Sequence, residues 1–108
     1  MKINKIIFIF FFFIGVFFAN AQNDFPQNLS NSALSLTKDQ VVYDPTYFTI
    51  KYPNGDVPAN KGVCTDVVIR AYRKLGIDLQ KEVHEDMAKN FPKYPKLWKL
   101  KKADTNID

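Results

Sequence analysis

The sequence predicts a small, mainly helical α+β domain, and three observations carry that prediction. An apolar stripe recurs at helical spacing from Val63 to Leu75 and stops at Gly76. A second stripe, Leu79, Val83 and Met87, follows directly behind Asp78, a residue suited to capping a helix. Ahead of both, Tyr47-Phe48-Thr49-Ile50-Lys51-Tyr52 is dense in aromatic and β-branched residues, as extended backbone prefers.

Taken from the N-terminus, the chain opens with Lys2 and Lys5, an apolar run from Ile6 to Phe18, and Ala19-Asn20-Ala21. That order of charge, short apolar stretch and small residues is a secretory leader, residues 1–21, with cleavage expected between Ala21 and Gln22. The run of 13 residues is shorter than the roughly 17–25 a membrane span requires. No stable span is therefore expected after cleavage, and the location implied is periplasmic or secreted. Residues 22–28 are polar and turn-prone and predict a flexible arm.

A first helix is predicted near 31–42, capped by Asn31 or Ser32 and ended by Val41-Val42 and Asp44-Pro45. The extended segment near 47–52 follows, then the turn Pro53-Asn54-Gly55-Asp56, where Asn-Gly supplies positive φ at low cost. The second helix is predicted near 63–75. At 100° per residue, Cys64, Val67, Val68, Ala71 and Leu75 share one face, and Asp66, Arg70 and Arg73 lie opposite. The apolar face is expected to be the buried one. The third helix is predicted near 79–90, and Pro92-Lys93-Tyr94-Pro95 prevents its continuation.

Seven of the ten Phe residues lie in the leader, so the material left for a core is thinner than the composition suggests. Residues 22–108 carry 13 basic and 11 acidic side chains, a mildly basic balance that names no partner. One Cys and one His cannot make a structural zinc site, and no glycine-rich phosphate loop is present. No cofactor or metal is expected.

Cys64 is the only cysteine, so it cannot close an intramolecular disulfide. Three roles stay open from spacing alone: a core packing residue, an intermolecular link, or a reactive thiol. A place in the first turn of a helix, behind Gly62, suits a nucleophile, because helix-start N–H groups favour an anion. A place on the apolar stripe suits packing.

A string of motifs bears on that choice. Tyr43-Asp44-Pro45, Tyr52-Pro53-Asn54-Gly55-Asp56-Val57-Pro58, Gly62-Val63-Cys64-Thr65-Asp66-Val67-Val68-Ile69-Arg70-Ala71, Asp78-Leu79-Gln80, Val83-His84-Glu85-Asp86-Met87, Tyr94-Pro95 and Asn106-Ile107-Asp108 occur in order. The string resembles the bacterial secreted family called domain of unknown function 1287, grouped with the NlpC/P60-like, papain-related cysteine hydrolases. The resemblance covers about residues 29–108. It implies the N-terminal, mainly helical part of a papain-like domain, hydrolysis of amides in cell-wall peptide, and Cys64 as catalytic nucleophile. In the family the pattern continues into a His-Arg-Arg run and strands expected to carry the catalytic histidine. The chain ends at Asp108, which implies a partial domain, inactive alone, without that histidine.

Other candidates are weighed against blander roles. His84 could serve as a base, but at the edge of its helix stripe a half-buried, hydrogen-bonded structural role is preferred. Asp66 and Arg70, four apart with the acid first, predict a helix ion pair. Asp56 reads as ordinary turn chemistry. Tyr43 and Tyr52 could line a peptide groove, though packing is the commoner use. Glu85 and Asp86 point about 100° apart and form no acid/base pair. Residues 89–102 hold six lysines and no acid, interleaved with Phe91, Tyr94 and Trp98.

The partners implied are cell-wall peptide or another anionic envelope polymer, and not nucleic acid. The function expected is an exported cysteine hydrolase-like domain. The alternative is a non-catalytic envelope-binding module using the basic aromatic C-terminal segment, and a third possibility is a thiol partner in a mixed disulfide.

Overall fold

A computed structural model describes residues 23–97 and 99–106. The predicted leader, Trp98 and the Ile107-Asp108 end of the last motif lie outside the described residues. The described chain is a small α+β unit with three helices and a two-stranded parallel sheet. Helix α1 spans Phe25–Leu36, strand β1 Val42–Tyr43 and strand β2 Lys61–Gly62. Helix α2 spans Cys64–Lys74 and α3 spans Leu79–Asn90, followed by a 3-10 turn at Phe91–Lys93.

The first helix departs from expectation at both ends. It begins at Phe25, inside the predicted arm of residues 22–28, and ends at Leu36 rather than 42. Pro26 in its first turn explains the early start, since proline there lacks only an N–H that has no intrahelical partner. Its end is closed by hydroxyls: Thr37 Oγ1 donates to the Leu34 carbonyl at 2.7 Å. Val41 and Val42, β-branched, leave the helix, and Val42 with Tyr43 forms β1 instead. Residues 47–52 form no regular strand, which corrects the extended element predicted there.

The sheet is made by other residues. Val42 aligns with Lys61 and Tyr43 with Gly62, and the Val42 N–H donates to the Asn60 carbonyl at 2.9 Å. An ion pair across the strands, Lys61 Nζ to Asp44 at 2.9 Å, fixes the register further. Thr46 N–H donates to the Asp44 carboxylate, and Thr46 is the main reason that carboxyl titrates low, at about 2, with Lys61 the next cause. The pairing brings residues 61–63 beside Tyr43 and so places the start of α2.

Helices α2 and α3 match their predicted spans to within a residue. Gly76 takes φ 79° and ends α2, with the Ile77 N–H donating to the Tyr72 carbonyl and the Gly76 N–H to the Arg73 carbonyl. Those two bonds form the Schellman closure that a left-handed glycine permits. Asp78 caps α3 as expected, accepting from the Lys81 N–H at 3.3 Å. Helix α1 packs chiefly on α2, with Phe25 and Tyr72 rings 5.9 Å apart. The buried apolar side chains among the described residues are Val57, Ile69 and Ala71.

Candidate functional site

The face of α2 expected to be buried is largely open, and the face expected to be open is buried. Val67 and Val68 are 49% and 51% exposed, and Cys64 is exposed as a free thiol. Of the predicted apolar stripe only Ala71 is buried. Opposite, Asp66 and Ile69 are buried, while Arg70 and Arg73 are partly covered. A polar face can be buried when nearly all of its polar groups find partners.

Those partners come from two directions. The Asp66 carboxylate turns back to its own helix start and accepts from the Val63 N–H at 2.7 Å. Gly62 permits this: a Cβ there would lie 3.1 Å from Asp66 Cβ and Oδ2. The predicted Asp66–Arg70 pair is therefore not made, because Asp66 is used in capping. Arg70 instead reaches Asp56, with Nε to Oδ2 at 3.1 Å, and its Nη2 donates to the Val57 and Pro58 carbonyls. Arg73 Nη1 meets the same carboxylate at 2.9 Å, and its Nη2 donates to the Gly55 carbonyl at 2.6 Å. Arg73 Nε is buried and has no hydrogen-bond partner among the described residues.

Asp56 is thus the anchor of loop 55–58 on α2, a role beyond ordinary turn chemistry. The available signal was the pair Arg70 and Arg73, three apart on one face and able to share one acid. Gln80, only 1% exposed, does the same work on α3. Its Oε1 accepts from the Gly55 N–H at 2.8 Å, and its Nε2 donates to the Lys51 and Thr105 carbonyls at 2.8 and 2.9 Å. Asp78 completes the latch by accepting from the Asn54 N–H at 2.7 Å. In the turn itself Asn54 takes the positive φ, 57°. Gly55 is needed for room, since a Cβ on it would fall 1.9 Å from the Lys51 carbonyl oxygen. In the sequence Gln80 stands out only as the last residue of the Asp78-Leu79-Gln80 motif, and nothing there shows its buried role.

Cys64 lies at the first position of α2, on the wall of a cavity of about 340 Å³. Ala33 and Leu36 of α1, Val41, Tyr43 of β1, Val63 and Val67 line it, with Asp39 and Arg70 among its polar residues. The thiol thus faces a mostly apolar recess with charges of both signs. Its helix start offers backbone N–H groups to an anion, although Val63 has given its own to Asp66.

Of the two tyrosines considered for a groove, Tyr43 lines this cavity and is 72% exposed. Tyr52 packs elsewhere, edge-on to His84 with ring centroids 4.9 Å apart. His84 is partly buried, and its Nδ1 lies 2.6 Å from the Asp104 carbonyl. A carbonyl only accepts, so Nδ1 carries a proton and donates. His84 does not line the cavity of Cys64, and the structural role preferred for it agrees with these contacts. Glu85 and Asp86 also part company: Glu85 pairs with Lys81 at 2.7 Å, and Asp86 accepts from Asn90 and the Tyr94 hydroxyl. Those contacts raise the Lys81 ammonium and the Tyr94 hydroxyl above their ordinary pKa values, through Glu85 and Asp86 respectively.

Among the described residues, no group of three or more His, Cys, Asp or Glu is arranged to hold a metal. None of the described helices is long and apolar enough to cross a membrane.

Comparison with known proteins gives two matches. The family model described as "Domain of unknown function (DUF1287)" matches residues 30–108. The chain is also 65% identical over 66 residues to the uncharacterized protein YijF of Escherichia coli (strain K12). Those residues are 61% of this chain and 32% of that relative, so the match spans about a third of the relative's length. No solved structure matches the chain.

Proposed function

The chain belongs to the family described as domain of unknown function DUF1287, and from that premise we propose that it carries the nucleophile of an exported cysteine hydrolase acting on amides of cell-wall peptide. The observation that supports the proposal is the exposure of Cys64 at a helix start, beside a recess large enough for a side chain or a short peptide segment. A packing cysteine would be covered, and none of the described residues covers this one. The NlpC/P60-like kinship suggested by the motifs belongs to the same proposal.

In this mechanism the Cys64 sulfur, as thiolate, attacks the amide carbon. The C–N bond then breaks, the amine leaves with a proton, and a thioester remains. Water hydrolyses the thioester, releasing the carboxylic acid and regenerating the thiol. Backbone N–H groups at the start of α2 stabilise the oxyanion at each addition. Because His84 is engaged with Tyr52 and Asp104 outside the recess, the proposal assigns proton transfer to another base. Arg70, which touches both the recess and Asp56, holds loop 55–58 against the helix that presents the thiol.

The test is release of new amino groups from purified peptidoglycan peptides by this sequence joined to the family's C-terminal strands, which are expected to carry the catalytic histidine, with the chain alone as the inactive control. The proposal expects release by the joined protein that disappears in Cys64→Ala and persists in His84→Gln. Equal release by Cys64→Ala, or none from the joined protein, would count against it.

A further inference from the structure

Residues 89–102 contain six lysines and no acidic residue, and all six lysines are exposed. The ion pairs among the described residues lie elsewhere: Lys61 with Asp44, Arg70 and Arg73 with Asp56, and Lys81 with Glu85. This segment keeps its charge uncompensated. Its nearest equivalent of a partner is an aromatic face, with Lys96 Nζ 5.6 Å from the centre of the Phe91 ring.

The backbone bends sharply inside this basic stretch. Lys99 takes φ 56°, and its N–H donates to the Lys96 carbonyl at 3.3 Å. Leu97 lies within this bend. Leu97 is 79% exposed, the most exposed large apolar side chain among the described residues, and it is followed in the sequence by Trp98. An apolar tip flanked by free ammonium groups suits a boundary between anionic headgroups and hydrocarbon. A hydrated anionic polymer would reward the lysines and gain nothing from Leu97. That difference decides between the two kinds of partner.

We propose that the segment from Lys93 to Lys102 docks reversibly on an anionic phospholipid surface, its lysines on the headgroup phosphates and Leu97 inserted at the headgroup–acyl boundary. One apolar tip with a basic cluster gives weak, salt-sensitive attachment rather than permanent insertion. This docking stands independently of the hydrolase proposal, since Cys64 plays no part in it.

The test uses the full chain with vesicles of phosphatidylglycerol and phosphatidylcholine, against vesicles of phosphatidylcholine alone. Trp98 is the only tryptophan, so its emission reports on this segment and not on the apolar N-terminal run, which would enter both kinds of vesicle. The expected result is a blue shift with the anionic vesicles only, suppressed in about 1 M salt, where the screening length falls to about 3 Å. In the triple variant K96E/K99E/K101E the Trp98 shift should need roughly a hundredfold more anionic lipid or be lost. K38E/K51E/K74E, an equal charge change elsewhere, should retain the shift. Leu97→Ser should reduce the Trp98 shift on anionic vesicles while leaving binding to soluble polyphosphate unchanged. No shift on anionic vesicles, a shift that survives K96E/K99E/K101E, or binding to polyphosphate without binding to vesicles would overturn the proposal.

Discussion

The two faces of α2 have the same parent sequence and opposite fates. One face carries Asp66, Ile69, Arg70 and Arg73 and is fastened to the rest of the molecule by an acid, a helix start and several carbonyls. The other carries Cys64, Val67 and Val68 and stands open around a recess. Hydrophobicity alone would invert this arrangement. The difference teaches that satisfied polar groups can outrank an apolar stripe in deciding which side of a short helix is covered. A buried carboxylate with a 2.7 Å backbone donor, and guanidinium groups that share one acid, leave little unpaired polarity to penalise burial.

The comparison is most easily broken on the fastened side. Gly55→Ala would drive a Cβ to 1.9 Å from the Lys51 carbonyl oxygen and prise the 51–55 turn from Gln80. A loss of about 3 kcal/mol is expected in urea denaturation, and a loss near zero would show that this latch is not tight. Asp56→Asn keeps the shape of the anchor and removes its charge from both arginines. With the carboxylate and arginines partly solvated, the expected loss is about 1 kcal/mol, read from the same urea midpoints. On the open face, Val68→Ser should change stability by no more than about 0.5 kcal/mol. A cost comparable to that of Gly55→Ala would mean that Val68 is covered in solution and the two faces are alike.

The sheet supplies a smaller, pH-dependent contrast. Thr46 and then Lys61 hold the Asp44 carboxyl down at about 2, below its ordinary 3.8. Its contribution to stability is therefore fully present above pH 3.8 and lost as pH falls through about 2. Acid unfolding of Asp44→Asn should lack this component, so its difference from the wild type should shrink toward pH 2. A constant difference across that range would show that Asp44 is not linked to folding.

Much of the frame was legible in the sequence. Gly76 and Asp78 mark the end of α2 and the start of α3 through backbone chemistry that needs no tertiary context. The first helix starts earlier than Asn31 and Ser32, which resemble caps, would place it, because Pro26 suits a first turn. The 47–52 segment has the composition of a strand, yet the pairing formed between 42–43 and 61–62, which only long-range contact could decide. At the site, the position of Cys64 on a helix start was readable. Its exposure was not, because the partners of Arg70 and Arg73 lie on a loop more than ten residues away. Gln80 was invisible for the same reason: it is one polar residue in a helix until the backbone groups of Gly55, Lys51 and Thr105 gather around it.

The open face of α2 is the centre of this account, and the rate of Cys64 alkylation in the native protein tests it most directly. Iodoacetamide at pH 7 should modify Cys64 in the folded chain at least as fast as in the chain unfolded by urea, with no dependence on low denaturant. A thiol protected until the cooperative unfolding transition would place Cys64 in a core and contradict the account.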